Sequence, residues 1–450
     1  MEIGSRLELF LDRALIDSLH GLELNMHTPQ PAPPSPAAFK GHYATVIQDG
    51  ELFRAYYRSY VAGYSGPYDE GNPGEITCYA QSRDGRHWAF PQLDLYGVGG
   101  PHGSNVILAG EAPYSHNFSP FLDTRPDVRP DERFKALAGV WLGGKGGLFA
   151  FVSRDGIRWQ RLGKRPAITS TRRAFDSQNV AFWSEPESCY ACYYRTWDTP
   201  HGQLRTITRV TSPDFVHWSP PVPMQPNIPG EHLYTSSTHP YSRAPHIYLA
   251  LPTRFVPERE GITDILLMTS RGGDRYDRLF MEAFIRPGLD PEQWENRATY
   301  AAQGVVPTGR GELSIYLAPG GRRYVLRTDG FVSVHAGHAG GEMVTKPFTF
   351  TGSELAINYS TSAAGSVRVE IQSTAGEPLP GYGLGDCLTL YGDEIEGVVK
   401  WRRGSDLRAL SRRPVRLRYL LQDADLYSMR FRETSLDGGA GHCPEQAGGV

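Results

Sequence analysis

The sequence SRDGRHW at Ser82–Trp88 recurs as SRDGIRW at Ser153–Trp159 and as SPDFVHW at Ser212–Trp218, so that each copy reads S-x-D-x-x-x-W. Each copy follows an apolar run and precedes a stretch that Pro or Gly interrupts. A phrase that repeats in this way indicates one supersecondary unit used several times along the chain. The interval between copies has room for four strands and their loops, which predicts one blade of a β-propeller for each copy.

The repeated phrase is expected to have a structural role. Its Ser or Asp side chain can accept hydrogen bonds from backbone N–H groups of its own turn. Its Trp would pack between neighbouring blades and bury a large apolar area. A catalytic role for Asp84, Asp155 or Asp214 is the weaker alternative. Because a propeller gathers the first strand of every blade around one axis, the residues at blade starts are expected to line a shared pocket.

Five blade-like units are predicted. In the first, Asp49-Gly50 joins two alternating runs and is typical of a β-hairpin. A sixth blade is the alternative if the first strands pair with the segment after Arg327. The five units are expected at His42–Trp88, at Asn105–Trp159, at Phe175–Trp218, from about His232, and from about Gly304.

The predicted fold is therefore all-β, a five-bladed β-propeller followed by a C-terminal β-sandwich. Residues 1–40 are expected to form an N-terminal lead segment with a Pro-rich link, and residues 41–330 the propeller, which would be the catalytic domain. Residues 331–432 alternate apolar and polar side chains, the pattern of antiparallel strands with one buried face. Residues 433–450 are rich in Gly and are expected to be a disordered tail.

Composition excludes several classes of function. The net charge is −3 and the basic residues are scattered, so no nucleic-acid partner is predicted. No apolar run approaches the roughly 20 residues of a membrane span, so no membrane partner is predicted. The five cysteines are an odd number, which argues against a disulfide framework. No metal-ligand spacing such as HExxH occurs, so neither a metal nor a cofactor is predicted.

The start of the chain has no basic region followed by an apolar stretch of signal-peptide length. This predicts a cytoplasmic protein, or a secreted one if a leader is missing from the sequence. The oligomeric state is left open.

Together, the S-x-D-x-x-x-W turns and the alternating pattern over residues 352–432 make the chain resemble the five-bladed β-propeller glycoside hydrolases of families 32, 43, 62 and 68. The resemblance is closest in architecture to family 32, in which a propeller precedes a β-sandwich. It implies cleavage of a glycosidic bond in an oligosaccharide or glycoside. The family 32 nucleophile segment, Asn-Asp-Pro-Asn-Gly, has no counterpart at Phe39–Tyr43, and the family's Glu-Cys segment is absent.

Three carboxyl groups are the candidate catalytic residues, because glycoside hydrolysis needs one protonated and one ionised carboxyl group beside the bond. Asp176 opens the third blade among polar neighbours, and Glu312 follows Gly-Arg-Gly at the last blade, with Arg310 as its expected partner. These two form the predicted acid/base pair. Asp123 is a supporting carboxylate by its loose likeness to the family's Arg-Asp-Pro segment. The structural alternatives are a turn cap for Asp176, a surface strand edge for Glu312 and a loop anchor for Asp123.

Polar residues near blade starts are the candidate substrate-binding groups, because imidazole, amide and guanidinium groups suit hydroxyl-rich ligands. For each histidine the alternative is a satisfied structural side chain, and for Glu282 with Arg286 it is an internal salt bridge. The predicted set is His116, Asn117, Gln178, Glu231, His232, His239, Glu282, Arg286 and Arg310.

The predicted function is a glycosidase, a hydrolase that acts through a pair of axial carboxyl groups. A non-catalytic carbohydrate-binding propeller is the first alternative, and the missing nucleophile segment favours it. A glycoside phosphorylase or transferase on the same fold is the second alternative, and it predicts a basic phosphate pocket near Arg286 or Arg310.

Overall fold

The computed structural model describes residues 1–35, 37–142, 146–198 and 203–434. Within these ranges the protein is nearly all-β, with four short 3₁₀ helices at Pro130–Glu132, Pro257–Arg259, Pro291–Trp294 and Arg408–Leu410. None of these helices has the length and apolar character needed to cross a membrane. The chain forms two compact units, one from Met26–Phe331 and one from Met1–Asn25 together with the residues from Val332 onward.

The strands of the described residues are numbered in chain order. The first sixteen are β1 Glu2–Gly4, β2 Glu8–Leu9, β3 Ile16–His20, β4 Glu23–Met26, β5 Gln30–Pro31, β6 His42–Asp49, β7 Leu52–Tyr60, β8 Glu75–Ser82, β9 Val106–Leu108, β10 Ser119–Leu122, β11 Phe134–Val140, β12 Gly147–Ser153, β13 Gln160–Arg161, β14 Val180–Ser184, β15 Cys189–Asp198 and β16 Leu204–Ser212. The others are β17 Val222–Pro223, β18 His232–Leu233, β19 His239–Tyr241, β20 Ala244–Ala250, β21 Thr253–Val256, β22 Ile262–Ile265, β23 Met268–Ser270, β24 Tyr300–Ala301, β25 Val306–Gly309, β26 Glu312–Ala318, β27 Arg322–Arg327, β28 Val332–Ala336, β29 Gly341–Thr345, β30 Thr349–Phe350, β31 Glu354–Gln372, β32 Asp393–Val398 and β33 Arg416–Arg432.

The unit Met26–Phe331 consists of small antiparallel sheets built mostly from consecutive strands. Three of them are four-stranded, with orders β6-β7-β8-β9, β10-β11-β12-β13 and β14-β15-β16-β17. The next sheet is three-stranded and contains β19, β20 and β23. The last sheet contains β26, β27 and β5, and both β24 and β25 pair with β26. A further small sheet contains β18, β21 and β22. The first strands β6, β10, β14 and β19 pack against one another in succession, and β25 packs against β6.

The repeated turn has the predicted structural role. In the first copy, Ser82 Oγ accepts a hydrogen bond from the Gly85 N–H at 2.9 Å, and Asp84 Oδ1 accepts from the next two N–H groups at 2.8 and 2.9 Å. The other two copies repeat this pattern. Trp159 is buried against Tyr56 of the first sheet and Phe118 at the start of the second, with ring centroids 6.4 and 4.8 Å away. The prediction of a turn cap with a packing Trp is confirmed.

The second unit is built around two long strands. Strand β31 pairs with β33 antiparallel from Glu354–Arg432 to Gln372–Arg416, in a sheet that also contains β28, β29 and β3. The core of this unit contains aromatic and aliphatic side chains such as Trp401 and Tyr419, both at most 1 % exposed.

The prediction that residues 1–40 form one lead segment is wrong. Residues 1–25 belong to the unit that contains β31 and β33, because their apolar side chains Ile3, Phe10 and Ile16 are buried in its core. Residues from Met26 onward belong to the other unit, where Pro31 pairs with Tyr324 of β27. From residue 435 onward the predicted tail lies outside the described residues. The described cysteines Cys78, Cys189, Cys192 and Cys387 are free thiols.

Candidate functional site

The segments that lead into the first strands meet at one end of the unit Met26–Phe331. Asn117 Nδ2 donates to the Ser177 carbonyl at 2.9 Å, and Ser177 Oγ donates to the Tyr234 carbonyl at 2.7 Å. Arg58 Nη1 donates to Asn117 Oδ1 at 2.7 Å, and its guanidinium lies over the Tyr43 ring at 4.7 Å. These contacts bring residues ahead of β10, β14 and β19 together with β6 and β7. We call this end of the unit, where Tyr43, Asn117, Ser177 and Tyr234 lie, the leading end.

Backbone strain is concentrated at the same place. Tyr43, Asn117, Phe175 and Ser237 have φ angles of 48°, 52°, 71° and 44°, which are unusual for residues other than Gly. Each of them lies in or shortly before the first strand of a different sheet. Such strain persists where the surrounding structure imposes it, and it is common at functional sites.

A carboxyl pair occupies the leading end. Asp176 and Glu70 are close enough to share a hydrogen bond when one of them is protonated. Asp176 Oδ2 lies 3.1 Å from Arg195 Nη2 and 3.4 Å from the Tyr234 hydroxyl. Burial raises the pKa of Glu70, and the neighbouring Asp176 charge raises it further. Burial also opposes ionisation of Asp176, but Arg195 and the hydrogen bond from Glu70 outweigh it, so the pKa of Asp176 is lowered. When the pair binds a single proton, Glu70 is therefore the member that binds it and Asp176 keeps the negative charge.

Solvent reaches this pair. The side chain of Asp176 is 19 % exposed and that of Glu70 36 % exposed. A second, fully buried pair supports the site from behind, with His116 Nδ1 2.8 Å from Glu75 Oε2. Burial raises the pKa of Glu75, but His116 and Arg58 outweigh it and lower the value overall. Solvent thus reaches Asp176 and Glu70, whereas the His116–Glu75 pair is buried behind them.

Tyrosine rings form the wall between the first and last sheets. Tyr300 lies with its ring centroid 5.6 Å from that of Tyr43 and 5.6 Å from that of Tyr234. Burial raises the pKa of Tyr43 and of Tyr300 far above the ordinary value, so both hydroxyls stay protonated and can donate hydrogen bonds. Because Tyr234 and Tyr300 are only 1 % and 6 % exposed, these rings shape the wall of the site and leave no ring face free for a ligand.

Gln178 closes the site on its inner side. Its Nε2 donates to the Ala44 carbonyl at 2.8 Å and to Thr45 Oγ1 at 3.0 Å. Beyond it, a cavity of about 480 Å³ lies among the five first strands and has mostly apolar lining, including Phe121 and Phe182. At the leading end, a cavity of about 700 Å³ is lined in part by Arg58 and Arg297. That volume is in the range typical of small-ligand sites.

Two of the three predicted catalytic carboxyl groups are not in this site. Asp176 precedes its first strand, whereas Asp123 follows the end of β10, and Glu312 follows the hairpin that ends β25. Because the first strands begin together at the leading end, Asp123 and Glu312 lie toward the opposite end. Asp123 is buried 2.9 Å from Lys135 Nζ and accepts a hydrogen bond from the Tyr190 hydroxyl at 2.6 Å.

Glu312 has partners other than the expected one. It accepts hydrogen bonds from Arg86 and Arg323 at 2.9 and 3.0 Å and from Thr308 at 2.8 Å. Arg310 is exposed in the hairpin turn between β25 and β26. The prediction that Glu312 pairs with Asp176 is wrong, because Glu312 follows the first strand β25 whereas Asp176 precedes the first strand β14, which places them at opposite ends. The prediction that Arg310 is the partner of Glu312 is also wrong, because Arg86, Arg323 and Thr308 bind this carboxylate.

The predicted binding residues are dispersed. His116 and Asn117 are in the site, Gln178 closes it, and His232 lies at its edge, where its Nδ1 accepts from the Arg205 N–H at 3.2 Å. His239 is buried between the Ser237 carbonyl and the Val305 N–H, at 2.7 and 3.2 Å. Its pKa is lowered to about 4, mainly by burial. It is therefore a neutral, structural histidine.

The last three predicted residues lie apart from the carboxyl pair. Glu231 makes a two-point ion pair with Arg278. Glu282 and Arg286 line a surface groove with Trp294, and among the described side chains they form no ion pair with each other. A phosphate pocket near Arg286 or Arg310 would therefore lie outside the site of the carboxyl pair. Among residues 1–35, 37–142, 146–198 and 203–434, no group of three or more His, Cys, Asp or Glu could hold a metal ion.

Sequence reasoning missed most of the site. Glu70 lies in the loop between β7 and β8, and its neighbours Pro67, Gly71 and Pro73 signal only a turn. Arg58 and Arg195 lie within or at the end of second strands, where alternation predicts only strand structure. The one available signal was the position of Tyr43 and Tyr234 near predicted blade starts.

Comparison with known proteins gives distant similarity. No family model matches the chain. It is 28 % identical over 144 residues to the Mycobacterium tuberculosis proteins named Uncharacterized protein Rv1502 and Uncharacterized protein MT1551, which covers 32 % of this chain and 42 % of each relative. The chain thus spans less than half the length of these curated relatives.

Among solved structures, the chain is similar to a family 43 arabinoxylan arabinofuranohydrolase from Bacillus subtilis, with TM-score 0.43, 13 % identity, and coverage of 88 % of this chain and 96 % of that one. It is similar to a thermostable family 43 glycoside hydrolase, with TM-score 0.45, 11 % identity, and coverage of 68 % and 92 %. It is also similar to a β-1,2-mannobiose phosphorylase from Listeria innocua, with TM-score 0.44, 12 % identity, and coverage of 67 % and 95 %.

Proposed function

We propose that this protein is a glycosidase whose acid/base pair is Glu70 and Asp176. The observation that carries the proposal is the accessible carboxyl pair with pKa values moved in opposite directions, set among tyrosine rings at the leading end. Two titratable groups whose environments separate their pKa values are the arrangement that acid/base chemistry requires. Glu70 would donate its proton to the glycosidic oxygen, and Asp176 would act as base or nucleophile.

The pair has to open for catalysis. Carboxyl groups that share a hydrogen bond are closer than the roughly 5–5.5 Å of retaining enzymes or the 6.5–9.5 Å of inverting enzymes. Glu70 lies in the loop between β7 and β8, whereas Asp176 is tied to Arg195. The glycosidic oxygen would therefore replace Asp176 as the hydrogen-bond partner of Glu70, and Glu70 is the member that moves.

The fold that supports this function would be a five-bladed propeller followed by a β-sandwich. The five sheets that contain β6, β10, β14, β19 and β25 would be the blades, and β5 would complete the last one. The substrate would be an oligosaccharide or glycoside that enters at the leading end, where it would reach the exposed parts of Asp176 and Glu70.

The test is to purify the Asp176→Asn and Glu70→Gln variants and assay them on a panel of aryl and natural glycosides. Loss of either group is expected to lower kcat by roughly 10²–10⁴-fold, the usual contribution of acid/base catalysis. Glu312→Gln is the matched control, because it removes a carboxyl group from the opposite end, and its turnover is expected to be unchanged. Unchanged turnover in both site variants would reject the assignment.

A sugar-binding propeller without catalysis is the second candidate, because the two carboxyl groups are closer together than in glycosidases. Binding on a glycan array, without release of product from any bound glycan and with binding abolished in Asp176→Asn, would favour this candidate over the enzyme.

A further inference from the structure

Three arginines surround one tyrosine ring at the leading end. The guanidinium carbons of Arg195, Arg205 and Arg297 lie 5.5, 5.1 and 5.9 Å from the centroid of the Tyr234 ring. Arg297 Nη1 also donates a hydrogen bond to the Tyr234 hydroxyl at 3.4 Å. The three side chains come from β15, β16 and the segment ahead of β24, so tertiary structure alone brings them together.

Arg195 is the most buried of the three and has unused donors. The residue is 2 % exposed, and its Nε, Nη1 and Nη2 have no hydrogen-bond partner among the described residues. Its ion pair with Asp176 is close, at 3.1 Å, but lacks hydrogen-bond geometry. A buried guanidinium without hydrogen bonds is unfavourable unless another group satisfies it. Its donors therefore point to a ligand.

Positive charge exceeds negative charge around this ring. Arg58, Arg173, Arg195, Arg205 and Arg297 lie near the carboxyl groups of Glu70, Glu75 and Asp176. The adjoining cavity adds two cations, Lys40 and Arg322, and two carboxyl groups, Glu292 and Glu295. Two of the first three carboxyl groups already have partners, because Glu70 lies 3.7 Å from Arg173 and Glu75 is paired with His116. Burial lowers the pKa of Arg205, and the like charges of Arg195 and Arg297 lower it further, against the opposing effects of Tyr234 and Asp176.

Neither Arg205 nor Arg297 forms an ion pair with a carboxylate among the side chains that the structure describes. Arg205 Nη1 lies 3.3 Å from His232 Nδ1 and its guanidinium over the Phe255 ring at 4.5 Å. Arg297 is exposed and lines the 700 Å³ cavity, which Glu292 and Glu295 also line. Two of the three arginines thus remain available to an incoming ligand.

We infer that the site takes a sugar that carries an anionic group, a carboxylate, sulfate or phosphate, held by Arg195, Arg205 and Arg297 beside Tyr234. The planar guanidinium forks bind such oxyanions at two points, and the low local dielectric strengthens each contact. A neutral sugar would leave Arg205 and Arg297 without a counter-charge, and Arg195 with Asp176 alone. Because Arg195 contacts Asp176, the anionic group would lie next to the carboxyl pair. The sugar part of this inference rests on the proposed function, whereas the anion part does not.

The experiment measures binding, so that it does not depend on turnover. Isothermal titration calorimetry on the full-length protein would compare methyl β-D-glucuronide, α-D-glucose 1-phosphate and inorganic phosphate with neutral methyl β-D-glucoside. At least one of the three anionic probes is expected to bind tenfold or more tightly than the neutral glycoside. Binding of inorganic phosphate alone would identify a free anion as the ligand, and binding of a charged sugar alone would identify a substituent. Equal or absent binding of all four probes would overturn the inference.

Matched variants locate the anion. Arg205→Gln and Arg297→Gln are each expected to weaken binding of the anionic probe about tenfold or more, the effect of losing one charge-assisted contact. Arg310→Gln removes an exposed arginine from the opposite end and is expected to bind as wild type does. Equal binding by all three variants would place the anion elsewhere and reject this site. If glycoside cleavage fails while anion selectivity holds, only the proposed enzymatic function is refuted.

Discussion

Replacement of Asp123 by Asn should destabilise the protein without changing its chemistry. Asp123 and Lys135 have side chains 0 % and 1 % exposed, with Oδ2 2.9 Å from Nζ. The Tyr190 hydroxyl and the Arg125 N–H also donate to this carboxylate, at 2.6 and 2.9 Å. Loss of one member of a buried ion pair destabilises by about 3–5 kcal/mol, because the other charge stays buried without its partner.

The expected value lies near the lower end of that range. Lys135 keeps Glu132, whose carboxylate and carbonyl accept from Nζ at 3.2 and 3.1 Å, so its charge is not fully uncompensated. Asp123→Asn keeps an acceptor for Tyr190, so we expect about 3 kcal/mol. Asp123→Ala also leaves the buried Tyr190 hydroxyl without an acceptor, which adds about 1–3 kcal/mol.

The assay is urea unfolding followed by tryptophan fluorescence, together with kcat per mole of folded protein. The double variant Asp123→Asn, Lys135→Met removes both charges and is expected to recover part of the lost free energy of unfolding. Glu312→Gln is the comparison, because its partly exposed ion pairs should contribute about 1 kcal/mol or less. If Asp123→Asn unfolds at the wild-type urea concentration but loses turnover, Asp123 has a catalytic role and the argument from burial fails.

Three other predictions concern acid/base chemistry, pH dependence and packing. Activity should need Asp176 ionised and Glu70 protonated. The rate should therefore fall only below the lowered pKa of Asp176 and above the raised pKa of Glu70. The Glu70→Gln variant should lose the alkaline limb of the pH profile in any activity that remains. His239, with its pKa lowered to about 4, binds protons more weakly when folded, so its contribution to the free energy of unfolding is complete above pH 6.5 and is lost as the pH falls toward 4. The stability difference between wild type and His239→Gln should therefore change over this window, by up to about 3 kcal/mol. Trp159→Ala should cost about 3–5 kcal/mol in urea unfolding, because the ring is buried between two sheets.

Each of these has a clear contrary result. An alkaline limb that persists in Glu70→Gln would assign the acid to another group. A stability difference for His239→Gln that is flat between pH 4 and 6.5 would mean that this histidine titrates normally. A loss below 1 kcal/mol for Trp159→Ala would show that the turn holds its shape without the ring.

The repeated turn and the strand alternation could be read from the sequence because their causes are local. Ser82 and Asp84 bond to N–H groups within three residues of themselves, so the motif carries its own structure. The site could be read only in part. Asp176 was identified because it precedes an apolar strand among polar neighbours, but its partner Glu70 lies in a loop whose Pro and Gly residues predict only a turn.

The two wrong carboxyl positions share one physical reason. A loose likeness to Arg-Asp-Pro suggested a role for Asp123, and its position at the start of the last blade suggested one for Glu312. The end of the first strand decides where a side chain lies, however, and both residues follow a first strand while Asp176 precedes one. The sequence by itself determined the all-β architecture and the repeated turn, because those depend on hydrogen bonds and periodicity within a few residues. Only the tertiary structure decided which charges meet, because these residues are far apart in the chain: Glu70, Asp176, Arg195, Arg205 and Arg297. The shifts of the pKa values of Glu70, Asp176 and Arg205 arise from burial and from neighbouring charges that packing brings close.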